Sequence, residues 1–377
     1  MDDLNNIKLN KEDFEFVQLE ENIKDEKFQG EAIGFFKDAM LRFRKNKASI
    51  VAAWVIIFIV FMAIFGPAMN EYTYKQQHVE WALLPPRVKG LEKIGIFDGT
   101  KVMEIRKENL EGKYKGTVVK IVEEYDKEYN GVKVPMVKAQ VNMYKLKGAE
   151  DVYFWLGTDS IGRDMWTRLW RGARVSLAIG ILAVLINMVI GVVYGSISGY
   201  YGGWVDMIMQ RITEIIGGIP SLVLIILFVM YIGSGIVPFI LSMILTGWIG
   251  MSRMIRAQFY KFKGQEYVLA SRTMGAKDRT LIFRHILPNA IGPIITQATL
   301  AIPGAIFTES FLSYLGLGIG APEPSIGVLL SEGQKVLLEY PHLTLFPAII
   351  ISVLMLSFNL FGNGLRDAFD PTLRGQE

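Results

Sequence analysis

The chain has 377 residues, 51% of them hydrophobic, with 40 basic and 37 acidic side chains and a net charge of +3. So small a charge offers no bulk electrostatic case for binding nucleic acid. The absence of cysteine excludes disulfides, thiolate metal sites and a cysteine nucleophile. The apolar share exceeds the roughly 45–50% of soluble domains, and it is gathered in blocks, as in an all-α polytopic membrane protein.

Residues 1–47 read as a charged cytoplasmic leader. No apolar core stands near the start, so this is not a secretory signal. Within it, Phe35-Phe36-Lys37-Asp38-Ala39-Met40-Leu41-Arg42-Phe43-Arg44 mixes apolar and basic residues. That mixture suits an interfacial helix lying on membrane lipid; a plain leader supplying positive charge is the alternative.

A spanning helix needs about 20 mostly apolar residues, and residues 48–69 supply the first. Residues 70–156 follow as an insert outside the membrane. Within it, residues 115–125 and 132–146 alternate apolar and polar side chains around Asn130-Gly131. Asn-Gly accepts positive φ at both central turn positions, so this is a β-hairpin signal in a small β-rich module.

Five more apolar segments follow within 157–377, at about 173–200, 207–232 with a kink at Pro220, 236–254, 290–308 and 343–365. The total is six transmembrane helices. Basic residues orient them. Arg42, Arg44, Lys45 and Lys47 precede the first span, and the loop between spans four and five carries Arg253, Arg256, Lys261, Lys263, Arg272, Lys277, Arg279 and Arg284. Lys335 is the one basic residue between spans five and six. Both termini are therefore expected in the cytoplasm.

Polar residues inside spans are costly in lipid and are candidates for function. Asn187, Gln210, Arg211, Glu214, Gln297, Thr299, Asn359 and Asn363 qualify. Arg211 and Glu214 are three residues apart and can pair on one helix face. Asn187, Gln297, Thr299 and Asn359, with Glu309, are candidates to line a pathway; bonding between helices is the alternative. The sequence has no Gly-x-x-x-x-Gly-Lys-Ser/Thr phosphate loop, no His-Glu-x-x-His zinc motif and no Gly-x-Ser-x-Gly turn. Its histidines, His78, His285 and His342, are scattered. No cofactor, metal or catalytic residue is expected.

The loop at 256–289 carries the most information. Residues 266–274 and 277–286 each suit a helix of about three turns, with Gly275 between them free to adopt the left-handed conformation that ends a helix. Pro288 falls at the start of the next span. Ala270 and Ser271 keep one face thin, Tyr267, Val268, Ile282 and Phe283 are apolar, and Arg272, Lys277, Arg279 and Arg284 are charged. This small pair, then Gly275-Ala276, then Ile286-Leu287-Pro288 before a span, resembles the "EAA" coupling loop of ABC-importer permeases. The general consensus has an acidic residue before the small pair; here Leu269 stands there, and Glu266 is the nearest acid.

Two further blocks resemble the C-type subunit of oligopeptide and dipeptide permeases. One is Gly157-Thr158-Asp159-Ser160-Ile161-Gly162-Arg163-Asp164, ahead of the second span. Thr158, Asp159 and Asp164 suit helix caps, and Trp166 and Trp170 suit the headgroup belt. The other runs from Glu309 to Gly327 and could form a short re-entrant element. The resemblance covers most of the chain from Trp155 onward. It implies a MetI-like core, no ATPase site of its own, and a coupling role for Glu266, Tyr267, Ala270, Ser271, Arg272, Gly275, Ala276, Arg284 and Pro288. The partners it implies are a second homologous permease subunit, two ATPase subunits on the cytoplasmic side and an extracytoplasmic peptide-binding protein. Nickel complexes or other small solutes are alternative cargo on the same scaffold. A secondary transporter, or a membrane sensor built on the insert, is a weaker alternative.

Overall fold

The computed structural model describes residues 34–129, 131–233 and 235–370; the leader over residues 1–33 lies outside them. Contacts divide the chain into a leading unit that ends at Asp38 and a body from Ala39 onward. Helix α1 (Phe35–Lys45) covers the segment expected to be interfacial. Helix α2 (Lys47–Phe65) begins at once, with the Asn46 side chain accepting from the Ser49 amide at 3.2 Å.

The insert carries one sheet: β1 (Thr100–Arg106), β2 (Val118–Tyr129) and β3 (Val132–Asn142), in the order β1-β3-β2 and antiparallel throughout. The hairpin lies where the Asn-Gly signal puts it, with Tyr129 opposite Val132. The strands are shorter or shifted at their outer ends: Val132–Asn142 gives way to a single turn of helix, α3 (Met143–Leu146), capped by the Asn142 side chain. Strand β1 is an addition to the expected pair. Ile105, Val137, Ala139 and Val141 bury one face with Tyr144 and Phe154. The insert closes on itself at its base, where the Leu84 amide donates to Thr158 Oγ1 at 2.8 Å and the Arg87 amide to the Phe154 carbonyl at 2.8 Å.

Helix α4 (Met165–Tyr201) is the longest element, followed by α5 (Gly203–Gly217), α6 (Ser221–Ile232) and α7 (Ile236–Phe262). After the loop come α8 (Glu266–Thr273), α9 (Asp278–Thr280), α10 (Ile291–Tyr314), α11 (Ile326–Gln334) and α12 (His342–Phe369). Among the described residues, five helical stretches are long and apolar enough to cross a membrane. The α5–α6 pair is bent by 71°. The expected kink is therefore a break, because Pro220 offers no amide and disfavours a helical Ile219. The boundaries also differ: the second and fifth spans begin earlier, at Met165 and Asp278, and the fourth runs on to Phe262. Polar and basic turns extend helices past their apolar part, which hydropathy alone misses.

Helix α4 packs along α7 through a row of small residues. A Cβ at Gly191, Gly195 or Gly199 would collide with Met251, the Ser252 carbonyl or Phe259 respectively. Small residues at every fourth position let two helix backbones approach closely, the usual device for helix pairs in lipid.

Candidate functional site

The loop between α7 and α10 is a folded elbow. Val268, 0% exposed, seats α8 in a cluster with Tyr200, Ile255, Phe259, Leu281, Ile286 and Ala290. Ala276 packs against the same cluster. The other faces of α8 stay open: Glu266, Ala270 and Arg272 are exposed, Tyr267 is 42% exposed and Met274 81%. Glu266 sits in the first turn, where the helix dipole favours an acid. Ser271 donates its hydroxyl to the Tyr267 carbonyl at 2.8 Å, so its polar group is spent on its own helix.

Gly275 ends α8 with φ +86°. Its amide donates to the Arg272 carbonyl at 3.0 Å, and the Ala276 amide to the Ser271 carbonyl at 3.1 Å. A Cβ here would meet nothing within 4 Å, so it is the left-handed backbone, and not space, that asks for glycine.

The second half of the loop departs from expectation. In place of a separate helix over 277–286, helical turns continue from Asp278 into the next span to Tyr314. They pass through a wide π-type stretch, Leu281–Ile286, and a tight one, Leu287–Ala290, that contains Pro288. Proline has no amide to donate and crowds the carbonyl one turn back; the widened turn before it absorbs both, so the helix survives. Arg284 and Pro288 are exposed on this stretch.

Hydrogen bonds tie the elbow to the bundle. Tyr200, at the end of α4, donates to Asp278 Oδ1 at 2.6 Å and accepts from Arg272 Nη2 at 3.2 Å. Asn289 Nδ2 donates to Tyr267 Oη at 3.1 Å. Lys263 Nζ donates to the Gly199 carbonyl at 2.9 Å, and burial holds its ammonium below its ordinary pKa. Just behind, Arg256 forks onto Asp206 at 2.6 and 2.5 Å, and Tyr260 Oη donates to the same carboxylate at 2.8 Å. Ser198 completes the knot, which joins α4, α5 and α7. The sequence reading missed Asp206; an acid in an otherwise apolar stretch with an arginine far along the chain was the available signal.

Of the candidate pathway residues, Gln297 and Asn359 are exposed and Thr299 is half-buried, its hydroxyl bonded to the Ile295 carbonyl at 2.8 Å. Asn187 is half-buried against Gly247, with its Oδ1 unpartnered. Glu309 is 0% exposed and accepts from Ser176 at 2.5 Å, Ser313 at 2.8 Å and Ser310 at 3.2 Å. These residues are spread over α4, α10 and α12. Arg211 and Glu214 do pair, at 2.6 Å, on an exposed face of α5.

In the block before α4, one of the three expected caps forms. Asp164 caps α4, accepting from the Thr167 amide at 2.8 Å. Thr158 instead braces the base of the insert, donating to the Trp81 carbonyl, and Asp159 binds Arg163 and Arg168. Arg168 is 1% exposed and also grips Glu332 on α11. Trp170 is buried against α2 rather than in a headgroup belt, and Trp166 Nε1 donates to the Gly66 carbonyl at 2.9 Å. In the third block, Ser325 caps α11, which packs among α4, α10 and α12.

A bundle of membrane-length helices with a built elbow between two of them defines a multi-pass membrane protein. Residues 191–375 match the family of binding-protein-dependent transport system inner membrane components, and residues 34–86 match the N-terminal TM domain of oligopeptide transport permease C. The oligopeptide transport system permease protein OppC of Bacillus subtilis is 39% identical over 93% of this chain and 93% of its own length. The dipeptide permease DppC of the same organism is 36% identical over 95% and 92%. The glutathione transport system permease protein GsiD of Pectobacterium atrosepticum is 40% identical over 58% of this chain and 73% of its own. The chain belongs to the oligopeptide and dipeptide permease family of binding-protein-dependent transporters, and its helical bundle carries a small sheet in addition.

Proposed function

We propose that this chain is the C-type transmembrane subunit of an ATP-driven peptide importer. It forms half of a translocation pathway with a second, homologous permease subunit. Two ATPase subunits bind on the cytoplasmic side, at the α8 elbow, and a peptide-binding protein delivers cargo on the side of the sheet. The termini are cytoplasmic. ATP-driven closure of the ATPases moves the elbow, and the stiff helices convert that movement into alternating access.

The observation that carries the reading is the elbow itself. It pairs an open, partly apolar surface with a back face locked by Val268 and Tyr200. A partner pushing on the open face would move the ends of α4, α7 and α10 together. The named relatives transport oligopeptides, dipeptides and glutathione, itself a small peptide, which supports peptide cargo over nickel complexes.

Reconstitution of the full complex in liposomes tests this. Peptide uptake should require ATP and the binding protein, and Gly275→Pro or Ala270→Trp should leave the chain in the membrane but abolish uptake. Uptake by this chain alone, or full uptake by both variants, would overturn the proposal.

A further inference from the structure

Outside the spans, the loop from Val88 to Phe97 is closed at its neck, where the Val88 amide donates to the Phe97 carbonyl at 3.0 Å. It nevertheless exposes Leu91, Ile94 (67%), Ile96 and Phe97, with Lys89 and Lys93 exposed among them. Loops that stand in water seldom carry so many large apolar side chains so close together. Phe97 also holds φ at +50°, a conformation costly for a bulky residue. Its ring lies 6.3 Å from that of Phe346 on the first turns of α12.

That contact fixes the height of the loop. Leu345, Ile349, Val353 and Leu356 form an exposed apolar stripe that starts beside Phe346 and runs down α12. Through Phe97 the loop packs beside the first turns of the helix that carries this stripe. On the neighbouring turn between α11 and α12, Leu338 is 99% exposed. This turn is also tied to the insert, with the Lys101 ammonium 3.4 Å from the Tyr340 ring centroid.

We infer that the 88–97 loop, with Leu338, is a membrane-interface anchor that holds the insert against the phospholipid leaflet at its end of the bundle. The apolar side chains enter the boundary between headgroups and acyl chains, and Lys89 and Lys93 meet anionic headgroups. The occupant is lipid because the patch packs, through Phe97 and Phe346, at the head of a spanning helix that carries an exposed apolar stripe, and because lysines stand among its apolar side chains, as at other interfacial segments. A consequence is that the insert does not swing freely: it rides at a fixed depth with α12.

The chain has no cysteine, so Ile94→Cys gives the full-length protein a single site, labelled before the chain is assembled with its partner subunits. Labelled with nitrobenzoxadiazole in phosphatidylethanolamine–phosphatidylglycerol vesicles, it should lose emission when the lipid acyl chains are brominated near the headgroup. Leu338→Cys should behave alike, while the same label on Glu128→Cys, near the hairpin turn, should lose none. Unchanged emission at position 94, an equal loss at 128, or shielding that appears only when a substrate-binding protein is added would overturn the inference, the last assigning the patch to a protein partner.

Discussion

The Tyr200 hydroxyl bridges Asp278, at 2.6 Å, and Arg272, at 3.2 Å. One phenol thus ties the end of α4 to both halves of the elbow, on either side of Gly275. A hydrogen bond to a charged group contributes about 1.5–3 kcal/mol. Asp278 and Arg272 are exposed, so the lower end applies. Tyr200→Phe should then speed amide exchange in α8 roughly tenfold and reduce uptake per ATP consumed. Unaltered exchange would mean that the tie is incidental.

Asp206 holds Arg256, Tyr260 and Ser198 at one point behind the elbow. Removing one member of a buried ion pair costs about 3–5 kcal/mol, but the Arg256 side chain is 35% exposed, so solvent reduces the loss to about 2–3 kcal/mol. Asp206→Asn should lower the thermal midpoint of the detergent-solubilised protein. Arg256→Lys, which keeps the charge and loses the fork, should lower it less. Equal midpoints for Asp206→Asn and the parent chain would count against the knot.

Gly195 meets the Ser252 backbone carbonyl, which has no freedom to withdraw. Overpacking by one methyl costs about 1–3 kcal/mol, so Gly195→Ala should destabilise the α4–α7 pair by that much and Gly195→Leu should deplete folded protein from membranes. Gly250→Ala, on α7 where a Cβ meets nothing within 4 Å, should be tolerated. The comparison is made by the yield of monodisperse protein on size exclusion.

Glu323 joins the loop after α10 to the bundle, accepting from Tyr74 Oη at 2.6 Å and from Arg171 Nε at 3.1 Å. Burial alone would raise its pKa, but the Tyr74 hydroxyl and the Arg171 guanidinium outweigh it, and the carboxyl lies below its ordinary 4.5. A depressed acid stabilises the fold above its unfolded value, and that contribution fades as pH falls through the lowered value. Amide protection of residues 315–325 should therefore hold at neutral pH and fall in acid below 4.5. In Glu323→Gln it should be low already at neutral pH. A pH-independent difference between the two proteins would contradict this assignment.

Much of this architecture is legible in the sequence because lipid demands long apolar runs, and because Asn130-Gly131 and Gly275 announce their turns by backbone preference. What escaped was set by distant partners. Nothing in the local sequence marks Arg168 for the interior, yet it is buried between Asp159 and Glu332, a residue far along the chain. Trp170 reads as an interfacial anchor until α2 covers it. Gly191, Gly195 and Gly199 are spaced for helix packing, but the spacing does not say which helix they meet. Strand β1 lacks clean alternation: Val102 and Met103 are both apolar, Lys101 shares the inner face with Met103 and Ile105, and no turn residues mark the strand as paired with β3. In the elbow, the Gly275 turn was readable from local chemistry; the Tyr200 tie, which depends on the end of another span, was not.

If the open face of α8 receives the motor, residues on it should lie within reach of an ATPase subunit. Photo-crosslinking from single benzoylphenylalanine substitutions at Leu269 and Met274, both exposed, in the assembled transporter tests it most directly. Adducts with an ATPase subunit are expected from both positions, changing in yield between the nucleotide-free and ATP-bound states. ATPase adducts absent from both positions while the subunits co-purify would contradict it.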